Sequence, residues 1–226
     1  WFIIIPYFTL AMLPLVWLSL TSFKTKESSI QSTASYMPTW SDPSPHQFRA
    51  TLQAYTQLTK AQVGSSNAFF HYLANSVLIG LFSTLASVAL GTSCAYGFSR
   101  FKVAGAQDWL FFILSTRFLP PLAVVVPVLM MYREFDLPNT HLGLIILYTG
   151  FNLSLSVWLM KGFIDDIPAA YEEAALVDGY TRLQAFAKII IPQAATGMAV
   201  TAVFCLISAW NEYGFALALN NAEAVT

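Results

Sequence analysis

Residues 61–99 read AQVGSSNAFFHYLANSVLIGLFSTLASVALGTSCAYGFS, a stretch without lysine, arginine, aspartate or glutamate. Charges are also missing from residues 1–23, 137–160 and 189–211, and residues 103–132 carry only Asp108 and Arg117. A bilayer core ~30 Å thick is crossed by about 20 helical residues at a rise of ~1.5 Å each. Each window is therefore long enough to cross a membrane. Helix is favoured over a membrane barrel because the runs are continuous and lack the alternation of barrel strands.

The composition of the whole chain supports a membrane protein. Of its 226 residues, 56% are hydrophobic and only 10% are charged, and the mean hydropathy is +0.58. Ordinary soluble domains carry roughly 25% charged residues, and disordered chains are poorer in apolar residues. The net charge of -1 provides no basic surface for nucleic acid. Cys94 and Cys205 both lie in apolar runs, which argues against a disulfide framework or a zinc cluster, and no cofactor is expected.

The uncharged windows predict an all-α, polytopic transmembrane helix bundle in a single domain over residues 1–226. Five spans are expected, at about 1–22, 73–97, 109–131, 142–161 and 193–215. The first span lacks the basic start and cleavage site of a signal peptide, so a retained helix is favoured. The loop over 24–70 is expected outside the cell. The positive-inside rule leans towards a cytoplasmic position for residues 162–192.

The clearest local pattern lies in residues 165–192, DDIPAAYEEAALVDGYTRLQAFAKIIIP. Asp165 or Asp166 can cap a helix, and a run of good helix formers follows over 169–177. Gly179 can end this helix in a left-handed conformation. The pattern predicts a short helix that stops at a glycine turn.

A second short helix is predicted directly after the glycine turn. Thr181 and Gln184 have the spacing of a capping box. Leu183, Phe186 and Ile190 then fall on one predicted face. Two short helices at the end of a membrane helix bundle favour a docking role, in which the segment binds in a groove of a partner protein. A helix lying on the lipid surface is the alternative.

The same segment resembles the EAA loop of binding-protein-dependent ABC importer permeases, in which Glu-Ala-Ala, a glycine and an Ile-x-Leu-Pro follow at fixed spacing. The matching residues here are Glu173, Ala174, Ala175, Gly179, Ile189 and Pro192. Ile191 replaces the usual leucine, and Tyr180 stands where alanine is common. Neither change is expected to abolish docking, although Tyr180 could alter the fit.

The resemblance extends to both sides of the loop. There the chain is similar to the maltose-permease-like half of heterodimeric permeases for sugars and polyols. The flanking matches are Asn75-Ser76, Ser115–Arg117 with Pro120-Pro121, Asn139–Ile145 and Trp210–Tyr213. The resemblance implies the type I ABC importer permease fold, in a bacterial or archaeal inner membrane. Such subunits usually have six spans, so a sixth span is expected to be missing from this sequence.

The resemblance also implies the partners. These are a second permease subunit, two ATP-binding ABC subunits, an extracytoplasmic solute-binding protein and membrane lipid, without nucleic acid. The helix over 169–177 would lie in a cleft of one ATP-binding subunit and would be pushed when ATP closes the ATPase dimer. The chain itself has no Gly-x-x-x-x-Gly-Lys-Ser/Thr loop, so it is not expected to be an enzyme.

The coupling residues implied by the resemblance are Tyr171, Glu172, Glu173, Ala174, Ala175, Asp178 and Gly179. Glu172 and Glu173 would contact polar or basic groups of the ATPase. The two alanines would permit close approach, and Gly179 would set the angle between the two short helices.

Arg117 is a charged residue predicted inside a span. Intramembrane charges are costly and seldom face lipid, so this side chain is expected to line the substrate pathway. Alternatively, it satisfies carbonyls freed by Pro120 and Pro121, or pairs with a carboxylate. Glu212 is the obvious partner by charge, but its predicted depth differs, and pairing requires a tilt or a break in the helices.

Two polar stripes complete the predicted pathway. Tyr148, Asn152 and Ser156 recur every four residues and share a helix face. A second stripe on the last span contains Thr201, Ser208, Asn211 and Glu212. These side chains either bind a sugar or join helix to helix. A third stripe of Gly80, Ser83, Ser87 and Gly91 is interpreted as helix packing.

Other functions remain open on the sequence alone. The same architecture could import another solute, such as glycerol phosphate. An ion-driven secondary transporter is an alternative of a different class, although the inverted repeats of such proteins are not evident. An intramembrane enzyme has little support, because no catalytic constellation stands out and the three histidines are scattered.

Overall fold

A computed structural model describes residues 2, 4–25, 29, 50–59 and 68–220, and these residues contain helices and no strand. The chain forms two compact units, residues 1–71 and 72–226. Most of the loop predicted over 24–70 lies outside the described residues. The α-helices whose bounds lie within the described residues are α1 Ile4–Ser22, α2 Gln53–Thr59, α3 Ala68–Arg100, α4 Ala106–Ser115, α5 Pro121–Glu134, α6 His141–Asp165, α7 Ala169–Val177, α8 Arg182–Ala185, α9 Ile191–Gln193, α10 Ala195–Trp210 and α11 Gly214–Leu219.

The first unit contains α1 and α2. Helix α1 is apolar, and none of its residues is buried. A helix with no buried face is typical of one that meets lipid. The Tyr55 hydroxyl of α2 donates to Ser22 Oγ at 2.8 Å, and its ring packs on Phe23. These contacts connect α2 to the end of α1.

Among the described residues, three helices are long and apolar enough to cross a membrane: α1, α3 and α6. Two further pairs of helices qualify if each bent pair makes one crossing, which gives up to five crossings. The all-α class predicted from the sequence is confirmed.

The helix predicted over 109–131 is interrupted in the structure. Helix α4 is followed by a 3₁₀ turn over Thr116–Phe118, and α5 then leaves at an angle of 97°. Leu119 and Pro120 both have extended backbone, with ψ of 125° and 123°. Each of them precedes a proline, and a residue before proline is sterically driven out of the helical region.

The helix predicted over 193–215 is also interrupted. Helix α10 ends at Trp210, residues 211–213 are not helical, and α11 starts at Gly214. At its other end, α10 meets the preceding helical segment Arg182–Gln193 at an angle of 73°. The two interruptions matter because each places a charged residue outside a regular helix.

The core of the second unit is built around α3, α6 and α10, with Tyr132 of α5 and Phe215 of α11 packed at one end and Ile190 at the other. Contacts between α3 and α6 join residues 62 to 66 apart along the length of both helices, so these two helices run parallel. Contacts between α6 and the α10 region join Met160 to Thr201, Asn152 to Cys205 and Tyr148 to Glu212, which makes the two helices antiparallel.

The small-residue stripe on α3 lies at these helix crossings. Ser87 Oγ donates to the Thr149 carbonyl of α6 at 3.3 Å. Gly91 faces Ser156, and Gly80 faces Leu206. The packing predicted for this stripe is confirmed, because small side chains allow the backbones to approach closely.

Gly91→Ala is expected to lower the free energy of unfolding by about 1–3 kcal/mol, the usual cost of overpacking. A Cβ at position 91 would overlap Oγ and Cβ of Ser156 and would lie 3.1 Å from its backbone carbonyl carbon, which no rotamer change relieves. The thermal midpoint of the detergent-solubilised protein measures the effect.

Gly97→Ala is the matched control, because it lies on the same helix and its added Cβ would meet nothing within 4 Å. Alanine has the higher helix propensity, so this variant should be neutral or slightly stabilised. Equal losses in both variants would contradict the packing role of Gly91.

Candidate functional site

The segment after α6 folds as two short helices around a glycine turn. Helix α7 spans the predicted residues, and Gly179 has a φ of +87°, a conformation that favours glycine. The predicted capping box is present, since the Thr181 side chain accepts from the Gln184 N–H and Gln184 accepts from the Thr181 N–H. The local architecture predicted from the sequence is therefore confirmed.

Two details of this segment differ from the prediction. Asp165 is the last residue of α6 and Pro168 precedes α7, so neither Asp165 nor Asp166 caps α7. Leu183 is 75% exposed, while Ile190 is fully buried, so these two residues do not share a face. The reason is a π turn over Phe186–Ile190, whose wider spacing aligns Ile190 with Ala185, five residues earlier, on the buried side.

One face of α7 is exposed and partly apolar. Most of the predicted coupling residues are exposed: Tyr171, Glu173, Ala174, Asp178 and Gly179. Val177 was not predicted as a site residue, although it lies three residues after Ala174 on the same face, and it is 87% exposed. Exposed apolar side chains on a short helix indicate a surface that a partner covers.

Two predicted coupling residues point the other way. Ala175 and Glu172 are buried. The Glu172 carboxylate accepts from the Tyr96 hydroxyl at 2.5 Å and lies 3.2 Å from Nε of Arg100. Arg182 is a third neighbour at 3.7 Å. A carboxylate held by its own chain is not free to reach another protein, so this geometry does not favour the direct ATPase contact predicted for Glu172.

Arg100 was missed by the sequence reasoning. Its guanidinium donates to the carbonyls of Ile164 and Ile167 at 3.2 and 2.7 Å, in addition to its ion pair with Glu172. The sequence feature that could have identified Arg100 is its position as the last residue of a long apolar helix. At such a position a basic side chain can bond to the free carbonyls of the helix end. Nearby, Asp165 accepts from Ser99 at 2.6 Å and is paired with Lys161.

The second candidate site is a cavity of about 160 Å³ inside the second unit. Its lining residues are Arg117, Leu119, Tyr148, Phe151, Asn152, Ser208, Ala209 and Glu212. Five of the eight side chains predicted for the pathway are thus brought together. They come from the α4–α5 break, from α6, from α10 and from the α10–α11 break.

The remaining three predicted side chains do not line this cavity. Thr201 is fully buried, and its hydroxyl donates to Met160 Sδ of α6 at 3.4 Å. Ser156 is fully buried against Gly91, where it serves helix packing. Asn211 is exposed, and its amide donates to the Ile207 carbonyl of its own helix at 2.8 Å. All three lie on the predicted stripes, but the neighbouring helix or the helix end removes them from the cavity.

The two charged lining residues reach the cavity through the helix breaks. Arg117 lies in the 3₁₀ turn, and Glu212 lies in the non-helical stretch after α10. Among the described residues no ion pair joins them. Glu212 Oε1 instead accepts the Phe215 N–H at 3.1 Å, and the Tyr148 hydroxyl donates to the Glu212 carbonyl at 2.9 Å. The Tyr148 bond holds the break against α6, whereas the bond from Phe215 is local to the start of α11.

Asn152 is the most buried polar residue of the cavity, with 1% exposure. Its Nδ2 donates to the Cys205 carbonyl at 3.3 Å, but Oδ1 has no hydrogen-bond partner. An unpaired buried acceptor is costly unless a ligand or water satisfies it. Sequence reasoning missed Leu119, Phe151 and Ala209, which give the cavity an apolar side.

Among the described residues, no group of three or more histidine, cysteine, aspartate or glutamate side chains is close enough to hold a metal ion. The arrangement instead offers hydrogen-bonding groups beside an aromatic ring. Such a mixture is common in pockets for small polar molecules.

Comparison with known protein families gives one match. Residues 87–225 match the family described as the binding-protein-dependent transport system inner membrane component. The matched range covers α6, α7 and α10, and it includes the segment 165–192 and every residue that lines the cavity.

Curated relatives align with nearly the whole chain. The diacetylchitobiose uptake system permease protein NgcG of Streptomyces coelicolor is 28% identical, over 96% of this chain and 67% of its own length. The trehalose transport system permease protein SugB of Mycobacterium tuberculosis is 31% identical, over 95% and 72%. The trehalose/maltose transport system permease protein MalG of Thermococcus litoralis is 26% identical, over 92% and 70%.

A solved structure has the same fold. It is the crystal structure of a bacterial ABC transporter involved in the import of the acidic polysaccharide alginate, with a TM-score of 0.74. The match covers 98% of this chain and 73% of that chain at 24% identity, a level that establishes the fold alone.

Proposed function

Because the chain belongs to the family of binding-protein-dependent transport system inner membrane components, we propose that it forms half of the translocation pathway of an ATP-driven importer for a sugar or polyol. Family membership and the apolar helices make it a multi-pass inner-membrane protein with the ABC importer permease fold. We also propose that residues 1–226 form a single permease domain with five spans, an extracytoplasmic loop over 24–70 and a cytoplasmic segment over 162–192. Relatives named for diacetylchitobiose and trehalose uptake support the substrate class.

The observation that carries the proposal is the coincidence of two helix breaks at one polar cavity. Irregular backbone at membrane depth is tolerated where it lines a cavity. Here the breaks deliver Arg117 and Glu212 to the same cavity as Asn152. Guanidinium donors, a free amide oxygen and the Ser208 hydroxyl suit the alternating donor and acceptor hydroxyls of a sugar.

The proposed coupling to ATP rests on the exposed face of α7. Tyr171, Ala174 and Val177 lie three residues apart and form one exposed stripe, with Glu173 beside it. An amphipathic helix with such a stripe fits a groove on a partner. We propose that this partner is an ATP-binding subunit, in an assembly of two permeases, two ATP-binding subunits and a solute-binding protein.

Reconstitution in lipid vesicles tests the function. The vesicles should contain this chain, a co-purifying second permease, the ATP-binding subunits and the binding protein. They should take up radiolabelled trehalose or diacetylchitobiose when ATP is present on the side of the ATP-binding subunits. If glycerol 3-phosphate is taken up and neither sugar is, the proposed importer architecture is supported but the proposed substrate class is wrong. Uptake by this chain alone, driven by an ion gradient, would refute the proposal.

Glu173→Lys is expected to lower the affinity of the permease for the ATP-binding subunit by about tenfold or more, because reversing an exposed charge at a docking surface replaces attraction by repulsion. The side chain is exposed, so folding of the chain should be unaffected. Co-purification of the ATP-binding subunit with a tagged permease measures the change.

Asp166→Lys is the control for Glu173→Lys. Asp166 is also exposed, but it lies before α7 and outside the predicted coupling set. Binding should stay within about twofold of the wild type, as expected for a charge outside the interface. If both variants bind the ATP-binding subunit as the wild type does, α7 is not the docking helix.

A further inference from the structure

Adjacent carboxylates on α7 have opposite environments. Glu173 is exposed, whereas the Glu172 side chain is only 4% exposed. Burying a carboxylate is costly unless it is paired and hydrogen-bonded. For Glu172, the Tyr96 hydroxyl supplies a hydrogen bond to Oε1 at 2.5 Å, and the Arg100 guanidinium supplies an ion pair, with Nε 3.2 Å from Oε2. Both partners belong to α3, so the buried carboxylate fastens α7 to the end of another helix.

Arg100 extends this connection to α6. Its Nη2 donates to two carbonyls, that of Ile164 in the last turn of α6 and that of Ile167 in the link to α7. One guanidinium therefore contacts three elements at once. A planar guanidinium presents five donors in a fixed fork, so this geometry is specific to arginine, and lysine cannot reproduce it. The Arg100 side chain is 10% exposed, so the contacts are shielded from solvent.

Aromatic contacts fix the position of the Tyr96 side chain. The Tyr96 ring lies 4.5 Å from the Phe186 ring of the π turn and 5.9 Å from the Phe101 ring. Tyr96 is therefore held in the orientation that aims its hydroxyl at Glu172. The residues that form the joint are Tyr96, Arg100 and Glu172.

We propose that this joint makes α7 move as one body with α3 and α6, so that Glu172 is a positioning residue that transmits movement rather than a contact to the ATP-binding subunit. The inference rests on the proposed function. A buried ion pair fixes relative orientation because separating the charges leaves both of them unsatisfied. A push on the exposed face of α7 then reaches the ends of α3 and α6 directly. Without the joint, the short link around Ile167 and Pro168 would absorb the movement.

Glu172→Gln tests the joint, because it keeps the volume and an acceptor for Tyr96 but removes the charge that Arg100 pairs with. In the reconstituted transporter, ATP hydrolysis should continue, while the substrate taken up per ATP should fall by about tenfold, the size of a typical coupling effect between sites. Tyr96→Phe removes one hydrogen bond only and should lower the ratio by about threefold. Asp166→Asn, an exposed charge in the same segment, should leave the ratio unchanged.

Two further measurements separate a joint from general destabilisation. In Arg100→Ala with Glu172→Ala, the fall in uptake per ATP should be smaller than the product of the two single falls, since both variants break the same ion pair. Hydrogen exchange on the purified complex should be faster in α7 of Glu172→Gln, with α6 unchanged.

The outcomes distinguish the joint from the proposed function. Unchanged uptake per ATP in both Glu172→Gln and Tyr96→Phe overturns the joint. If Glu172→Gln fails to assemble, the ratio in Tyr96→Phe decides, and an unchanged ratio overturns the joint. A wild-type complex without ATP-driven uptake refutes the proposed function, while the exchange rate of α7 still tests the joint.

Discussion

Gly179→Pro is expected to abolish ATP-driven uptake, by at least about 100-fold, while the chain still inserts into the membrane. Gly179 has a φ of +87°, and proline is fixed near about -65°. Proline also lacks the N–H that Gly179 donates to the Leu176 carbonyl at 3.2 Å. In addition, the residue before proline is driven out of the helical region, so Asp178 could not end α7 as it does now. The angle between α7 and the following helix would be lost.

Gly179→Asn is the matched control for the proline variant. Asparagine tolerates the left-handed region better than other non-glycine residues, and a Cβ at this position meets nothing within 4 Å. Uptake by Gly179→Asn should therefore stay within a few-fold of the wild type. Protease protection of the spans and ATP-dependent uptake in vesicles measure insertion and function separately. Normal uptake by Gly179→Pro would show that the angle set by this turn has no role in coupling.

The segment 165–192 is the part of the fold that the sequence predicted most accurately. Its helix, its left-handed glycine and its capping box are local patterns, fixed by residues within a few positions of each other. Local rules therefore predicted the bounds of α7 correctly. The π turn was not predicted, because nothing in the spacing of Leu183, Phe186 and Ile190 indicates a five-residue turn.

The breaks at Arg117 and Glu212 were only partly predictable. Hydrophobicity averages over a whole window, so residues 109–131 and 193–215 each look like one continuous span. The prolines after Arg117 signalled one break, but no comparable breaker precedes Glu212 in α10. The sequence predicted that Arg117 and Glu212 could pair only through a tilt or a break in the helices. Both helices are broken and both side chains line one cavity, but among the described residues no ion pair joins them.

Side chains on one predicted stripe can have different roles, and only tertiary packing separates them. Asn152 and Ser156 lie one turn apart on α6. Asn152 faces the cavity, whereas Ser156 meets Gly91 of α3. The pairing of Glu172 with Arg100, 72 positions away in the sequence, was equally invisible, because helical periodicity carries no information about which helix lies opposite.

Asn152→Leu is expected to lower substrate uptake by about 10- to 100-fold, the effect of losing one or two hydrogen bonds to a polar substrate in a buried site. Leucine has a similar volume, so the cavity keeps its shape while losing the free Oδ1 and the bond from Nδ2 to Cys205. ATP hydrolysis stimulated by the binding protein should persist, because α7 and its joint are untouched. The half-saturating substrate concentration and the maximal rate of uptake in vesicles measure the change.

Ser156→Ala provides the comparison on the same helix face. The Ser156 hydroxyl is fully buried, lies outside the cavity and has no hydrogen-bond partner, so its removal should leave uptake unchanged. Equal losses in Asn152→Leu and Ser156→Ala would mean that α6 packing, and not the cavity, controls transport. A loss confined to Asn152→Leu that changes in size between a disaccharide and glycerol 3-phosphate would place this amide in contact with the substrate, because a purely structural defect would slow both substrates equally.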